Sequence, residues 1–287
     1  MMANENKTNI NWFPGHMQKA TREIENRIKI VDVIIELLDA RAPLSSRNNA
    51  LFQITKDKKR LLILTKADLA DEKITNKWVD YFSSLGYLVM CANLNEAKLV
   101  DKLTAKINIL GQEKHEKEKR KGMKPQPIRT MIIGIPNVGK STLINRIAKR
   151  NAASVQNTPG HTKSQQWIKV GNSFDLLDTP GILQANYEDK NYAINLALIG
   201  SIKEAILPID DLGDILLDYL KKYYVDDVKT RFKIEFDINE DNYSIFTKIA
   251  LKRGLLQKGE PDVSKAKAVF LKEFKEGLIG RISLERI

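Results

Sequence analysis

The chain has 287 residues, 43% of them hydrophobic, and a formal net charge of +11 from 47 Lys and Arg against 36 Asp and Glu. That length suffices for two domains with cores of their own, and the basic excess favours a polyanionic partner such as nucleic acid or an acidic lipid surface, with solubility through surface lysine as the plainer alternative. Cys91 is the only cysteine, which excludes an intramolecular disulfide and a cysteine-based zinc site. No apolar run approaches a membrane span, and Met1 to Asn9 is polar with no signal-peptide core, so a soluble cytoplasmic protein is expected.

Trp12-Phe13-Pro14-Gly15-His16-Met17 is a dense apolar and turn cluster, followed by helical periodicity over residues 18–28. Such a cluster can simply pack the start of the chain onto a domain. His16 differs from its neighbours because it sits in a Pro-Gly turn that can aim a side chain at a site. Val31 to Leu38 reads as a mostly buried strand ending in Asp39-Ala40-Arg41, and Ser45 to Asn48 reads as a loop. The next strand, Arg60 to Leu64, ends in Thr65-Lys66-Ala67-Asp68. A K-x-D triplet at the carboxyl end of a buried strand suits a guanine pocket: the carboxylate accepts from the two guanine N–H donors while the lysine stem packs over the base. Adenine offers no such donor pair. Alone, the triplet is equally a solvated strand end or a helix cap. After a helix over residues 75–85, a third strand at residues 87–90 leads into Cys91-Ala92-Asn93, whose backbone N–H groups would read the base oxygen.

From Lys98 to Pro127 the character changes to a connection: Lys114 to Lys121 is a charge run at the solvated end of a helix, and Gly122 to Pro127 is extended. His115 belongs to that run and is read as non-functional. The connection delivers the chain to Gly134-Ile135-Pro136-Asn137-Val138-Gly139-Lys140-Ser141, which follows an apolar run and opens a helical pattern. The spacing is that of a phosphate-binding loop. Glycines let successive backbone N–H groups turn toward phosphate oxygens, Lys140 reaches the β- and γ-phosphates, Ser141 can hold Mg²⁺, and Thr142 is next in line for the α-phosphate. Residues 155–162 form an irregular polar segment whose Thr162 suits a residue ordered by the γ-phosphate. Strands over residues 166–170 and 174–177, joined at Gly171-Asn172, lead to Asp178-Thr179-Pro180-Gly181. There Asp178 can hold the Mg²⁺ shell and the Gly181 N–H can reach a γ-phosphate.

A guanine-nucleotide domain ordinarily runs phosphate loop, switch Thr, D-x-x-G, K-x-D and base loop. Here the last two come first. Because all lie at the carboxyl ends of strands in one open sheet, a circular permutation preserves the site. The expected fold is therefore α/β, a circularly permuted P-loop GTPase domain over residues 1–185, with residues 98–127 joining the permuted halves. Residues 186–287 read as an all-α domain, with helices at 192–199, 202–207, 212–223, 243–253 and 263–274. Its basic residues are mixed with acids, so a solvated helix surface is the plainer reading there.

Through Trp12 to Met17, Asp39-Ala40-Arg41, Thr65 to Asp68, Gly134 to Ser141, Asp178 to Gly181 and Gly280-Arg281-Ile282-Ser283-Leu284-Glu285, the chain resembles the ribosome biogenesis GTPase A family over nearly its whole length. The resemblance implies GTP hydrolysis during assembly of the large ribosomal subunit, stimulated by the maturing particle, with contacts to rRNA and ribosomal proteins. It also implies that the helical part binds RNA, chiefly through phosphates. A nucleotide-gated RNA- or protein-binding module with incidental turnover is the alternative. Other guanine nucleotides, alarmones included, would compete for the pocket.

The sequence departs from the usual pattern at two places. Thr65 stands where the base motif usually has Asn, and its shorter side chain leaves open whether a contact to guanine N7 or to the phosphate loop survives. Ile182 and Leu183 follow D-x-x-G where Ras-like enzymes have a water-orienting Gln, and neither can polarise water, so a low intrinsic rate is expected. The resemblance makes His16 the residue acting on the water, with His161 as rival. It also gives Asn137 a role as ligand to an activating K⁺ near the β/γ bridge, the plainer reading being that it shapes the turn.

Overall fold

The structure, a computed structural model, describes residues 15–154, 167–183, 189–202 and 209–287. The first half of the chain alternates helices and strands: α1 (Gly15–Arg27), β1 (Val33–Asp39), α2 (Asn49–Thr55), β2 (Lys59–Thr65), α3 (Glu72–Ser84), β3 (Leu88–Ala92) and α4 (Leu99–Arg120). Then follow β4 (Ile128–Ile133), α5 (Lys140–Ser154), β5 (Trp167–Val170) and β6 (Phe174–Leu177). The strands form one six-stranded sheet in the order β3-β2-β1-β4-β6-β5, parallel throughout except for the edge strand β5. Unbroken apolar runs mark strands covered on both faces, and every residue of β1 is buried. Its one charged residue inside the run, Glu36, is matched by a buried ion pair to Arg60 on the neighbouring strand.

The register places the functional ends together. Asp39 on β1 pairs with Thr65 on β2, and Thr65 pairs with Ala92 on β3. On the other side Met131 of β4 pairs with Leu177 of β6, so the phosphate loop and Asp178 leave the sheet side by side. Three tandem strand ends thus face one mouth with two more, as the permutation argument requires.

Most of the 98–127 connection is α4, whose buried Leu99, Leu103, Ile107 and Gly111 recur every fourth residue and seat the helix on the sheet. Gly111 is needed for that approach, since a Cβ there would lie 2.0 Å from Ile128 Cδ1. Lys114 Nζ then donates to Asp32 (2.7 Å) and to the Pro127 carbonyl (3.0 Å), tying the exit of the connection to the approach to β1, and His115 meets the Gln126 carbonyl at 3.1 Å. That contact links the end of α4 to the extended residues that follow it.

Beyond β6 the elements are α6 (Lys190–Leu198), α7 (Ile209–Tyr223), α8 (Val225–Phe232), α9 (Asn242–Arg253), the short hairpin β7 (Leu256–Gln257) and β8 (Glu260–Pro261), and α10 (Val263–Lys275). Residues 203–208, most of the expected 202–207 helix, lie outside the described residues. Periodicity missed α2, α8 and the hairpin. In α8 the reason is the single-residue break at Tyr224, which leaves the apolar stripe of α7 almost uninterrupted. One apolar cluster runs from the sheet (Leu37, Ile133) through Ile182 into Leu196, Leu216 and Phe270 of the helices. Within the helices Phe270 packs against both Phe232 and Phe246.

Candidate nucleotide-binding site

The phosphate loop leaves β4 at Gly134 and enters α5 at Lys140. Two of its residues adopt backbone angles that favour a missing or short polar side chain: Asn137 at φ 59° and Gly139 at φ 107°. Gly139 is doubly constrained, because a Cβ would lie 2.5 Å from Leu94 Cδ1 in the loop after β3. Val138 is buried in the core and anchors the loop from beneath, while Ser141 and Thr142 are exposed on the first turn of α5. The N-terminal N–H groups of α5 make this an anion site.

Lys140 is only 8% exposed and its Nζ donates to the Gly134 and Ile135 carbonyls, each at 3.0 Å. Those bonds use two of three ammonium donors and leave the third for a phosphate. Burial pulls the Lys140 pKa down to about 8, against the opposing pull of the Asp178 carboxylate. Burial in turn raises the Asp178 pKa, opposed by Lys140 and by the Thr179 backbone N–H. Lys140 at the start of α5 and Asp178 just past β6 thus carry opposite charges, each partly offsetting the effect of burial on the other.

Gly181 completes this side. A Cβ on it would lie 2.9 Å from both Lys140 Nζ and the Pro136 nitrogen, so only glycine lets the segment after Asp178 pass this close to the phosphate loop. Ile182 is 2% exposed, its N–H donating to the Gly134 carbonyl (3.3 Å) and its carbonyl accepting from Asn48 Nδ2 (2.9 Å). The side chain that replaces the usual Gln therefore belongs to the core. Leu183 is likewise buried.

On the base side, Thr65 Oγ1 lies 2.7 Å from the Val138 carbonyl and 3.0 Å from the Leu38 carbonyl. A hydroxyl thus links the base motif to the phosphate loop at the position where Asn is usual. Lys66 holds a left-handed backbone (φ 54°) and its Nζ pairs with Asp39 Oδ2 at 2.9 Å. Asp39 is fully buried and also takes the Arg41 guanidinium, at 3.0 Å to Oδ1 and 2.9 Å to Oδ2. Burial alone would raise the Asp39 pKa, but Arg41 and Lys66 outweigh it and hold it down at about 2. Asp68 is exposed at the mouth.

Cys91 and Ala92 are the last residues of β3 rather than loop, because the strand runs on to pair with Thr65; Cys91 is exposed and Ala92 buried. The loop begins at Asn93, whose Oδ1 accepts from the Asn95 N–H (2.9 Å), and Arg146 of α5 donates to the Asn95 and Glu96 carbonyls, both at 2.8 Å. Base loop and phosphate-loop helix are therefore fastened to each other.

Asn137 Nδ2 donates to the Gly200 carbonyl just past α6 at 2.8 Å. Helix α1, which carries His16 in its first turn, packs through Ala20 and Ile24 beside Asp178-Thr179-Pro180. The side chain of His16 lies outside the described residues, as do Trp12, Phe13, His161 and Thr162. Sequence reasoning gave no role to Asp39, Arg41, Asn48 or Glu285. Asp39 carried a usable signal, an acid at a strand end directly beside the K-x-D strand; Asn48 carried none.

Ser141 on the first turn of α5 and Asp178 just past β6 offer oxygen ligands, the kind of sparse set that suits Mg²⁺, which takes one or two protein oxygens and fills its shell with phosphate and water. When bound, the ion neutralises charge on the β- and γ-phosphate oxygens. Among the described residues no helix is long and apolar enough to cross a membrane.

Residues 129–240 match the family described as 50S ribosome-binding GTPase. A ribosome biogenesis GTPase A of Bacillus cereus is 42% identical over 277 residues, covering 96% of this chain and 93% of the relative. The ribosome biogenesis GTPase A of Thermotoga maritima is 34% identical over 278 residues, covering 96% and 94%. The solved GNP-bound YlqF from T. maritima superposes with a TM-score of 0.65 at 30% identity, over 93% of this chain and 98% of that one. With guanine-nucleotide machinery in permuted order at one sheet edge and relatives of this kind along nearly its whole length, the chain belongs to the ribosome biogenesis GTPase A family and is a circularly permuted GTPase.

Proposed function

We propose that this GTPase acts at a late step of large ribosomal subunit maturation: the GTP-bound protein docks on the precursor, and the particle stimulates the hydrolysis that releases it. The observation that carries this reading is the burial of Ile182 with both its backbone groups engaged, which leaves the D-x-x-G segment without a side chain to orient water. Isolated turnover is then at or below the order of 10⁻⁴ s⁻¹, the scale of unassisted Ras, and the partner supplies what is missing. The names of the matching family and relatives, together with the net charge of +11, point to that partner as a large-subunit precursor with its rRNA and ribosomal proteins.

In this reading residues 1–185 are the GTPase unit and residues 186–287 the RNA-binding unit. Asp68 reads guanine, Lys66 covers it, and the backbone near Cys91, Ala92 and Asn93 meets the base oxygen. Val138, Gly139, Lys140, Ser141 and Thr142 hold the phosphates, and Thr162 joins Ser141 and Asp178 around Mg²⁺. Gly181 donates to the γ-phosphate. His16 positions or deprotonates the water, and the packing of α1 beside Asp178 to Pro180 supports its placement on this side of the site. The tie of Asn137 Nδ2 to Gly200 leaves its carbonyl oxygen as the acceptor for K⁺, whose charge near the β/γ bridge stabilises the transition state. Alarmones, as guanine nucleotides, compete for the same pocket.

The test is the GTPase rate of wild type and His16→Ala with large subunits, small subunits or neither, in KCl and in NaCl. Strong stimulation by large subunits alone, lost in His16→Ala and weaker in NaCl, is expected. Equal stimulation by small subunits or unrelated RNA would refute the large-subunit assignment.

A further inference from the structure

The last residues of the chain bridge two regions: the Ser283 carbonyl accepts from Tyr219 Oη (2.7 Å) and the Ser283 N–H donates to Tyr224 Oη (3.1 Å) in the helical bundle, while the other side of the segment is laid across the base-reading loop. Arg281 Nε donates to the Ala70 carbonyl (2.8 Å) and its Nη2 to the Ala67 carbonyl (3.0 Å), bracketing Asp68 on both sides. The Ile282 N–H donates to the Leu69 carbonyl at 2.9 Å, and Ser283 Oγ accepts the Asp71 N–H at 3.2 Å. Gly277 adds a packing contact so close that a Cβ there would lie 2.6 Å from Leu69 Cδ2. Every residue from Ala67 to Asp71 except Asp68 is thereby held by residues 277–283, while Asp68 stays exposed.

The same segment also grips the neighbouring strand end. The Leu284 N–H donates to the Arg41 carbonyl (2.7 Å), and the Glu285 carboxylate takes the N–H groups of Leu44 (2.6 Å) and Ser45 (2.8 Å) with a further short bond from Ser45 Oγ. Trp78 Nε1 donates to the Glu285 carbonyl at 3.2 Å. Arg41, pinned in this way, pairs with the Asp39 that holds Lys66.

We propose that the carboxyl-terminal segment 280–285 is the positioning element of the guanine pocket, with Arg281 setting the loop that presents Asp68. The K-x-D loop carries a strained, left-handed Lys66 and has few internal bonds, so its geometry needs an external brace. Arg281 supplies one from a planar fork whose donors sit at fixed spacing, matching carbonyls on either side of the residue that must be aimed. Guanine selectivity of this GTPase therefore depends on residues more than 200 positions away in sequence from the motif that performs it. By reciprocity, any partner that shifts the segment changes nucleotide affinity.

The experiment uses the full-length protein and two nucleotides, GDP and inosine diphosphate, the second lacking the 2-amino group that a carboxylate reads. Dissociation constants are measured for wild type, Arg281→Ala, Asp68→Ala and the double variant. Arg281→Ala should weaken GDP about tenfold and inosine diphosphate clearly less, and should add nothing in the Asp68→Ala background. Arg281→Lys, which keeps the charge but not the fork, should fall between, and it carries the test if the alanine variant does not fold. GDP affinity within twofold of wild type, equal weakening of both nucleotides, or an undiminished effect in the Asp68→Ala background would each overturn the proposal.

Discussion

The two halves of the site are built to different standards. The base-reading half is braced from every side: Thr65 to the phosphate loop, Lys66 to buried Asp39, Ala67 to Asp71 to the carboxyl-terminal segment, and the β3 loop to Arg146. The hydrolytic half has a well-formed phosphate cradle but spends its post-D-x-x-G side chain, Ile182, on the core. If, as proposed, the pocket recognises without help and the catalyst needs help, the arrangement is that of a timer, because binding must be reliable while turnover waits for a signal.

Removing Lys140 should break the cradle half most. Lys140→Ala is expected to weaken GTP binding by about 100-fold or more, since the variant loses a desolvated charge aimed at phosphate; equilibrium titration with GTP checks it. On stability rather than binding, the largest effect is that of Asp39→Asn, which leaves Arg41 and Lys66 near each other without their shared anion and should cost about 3–5 kcal/mol in urea unfolding. The Asp39 contribution is present above the ordinary carboxylate value of 3.8 and is lost as pH falls through about 2. The variant should accordingly be less sensitive than wild type to acid below pH ~4.

A smaller effect comes from the lowered Lys140 pKa. The protonated amine is the form that binds phosphate, and bound phosphate keeps it protonated. GTP affinity should therefore hold up to about pH 8 and then fall with rising pH, by at most ~10-fold per pH unit. Proton uptake on binding, read by calorimetry in buffers of different ionisation enthalpy, should appear near that pH. Smallest is Thr65→Val, which deletes the hydroxyl bonded to the Val138 carbonyl and should cost about 1–2 kcal/mol. If the link tunes the pocket, guanine affinity drops with it; if stability alone changes, the base and phosphate halves are less coupled than their contacts suggest.

Much of this was legible in the sequence because local signals and function coincide there. Apolar runs gave β2 and β6 to within a residue, β1 to within two and only the second half of β4, and glycine and lysine spacing gave the phosphate loop. The strand-end motifs gave the permutation, since a parallel sheet puts all carboxyl ends on one edge. What was not legible depends on contacts distant along the chain. The Asn48 bond to Ile182 spans 134 positions and the Glu285 clasp on Leu44 spans 241, and neither residue differs in type from an ordinary surface Asn or Glu. Helix α2 is too short for periodicity to separate from turns, α8 follows α7 after a single-residue break, and Cys91-Ala92 belong to β3 because the strand continues to pair with Leu64 and Thr65 of β2.

The most direct test of a complete reader coupled to an incomplete catalyst is a single-turnover rate of GTP hydrolysis on isolated protein saturated with nucleotide, repeated with saturating large subunits. The account predicts tight guanine binding in both, with hydrolysis at or below the order of 10⁻⁴ s⁻¹ alone and many-fold faster on the subunit. Isolated hydrolysis on the order of 1 s⁻¹, unchanged by the subunit, would contradict it.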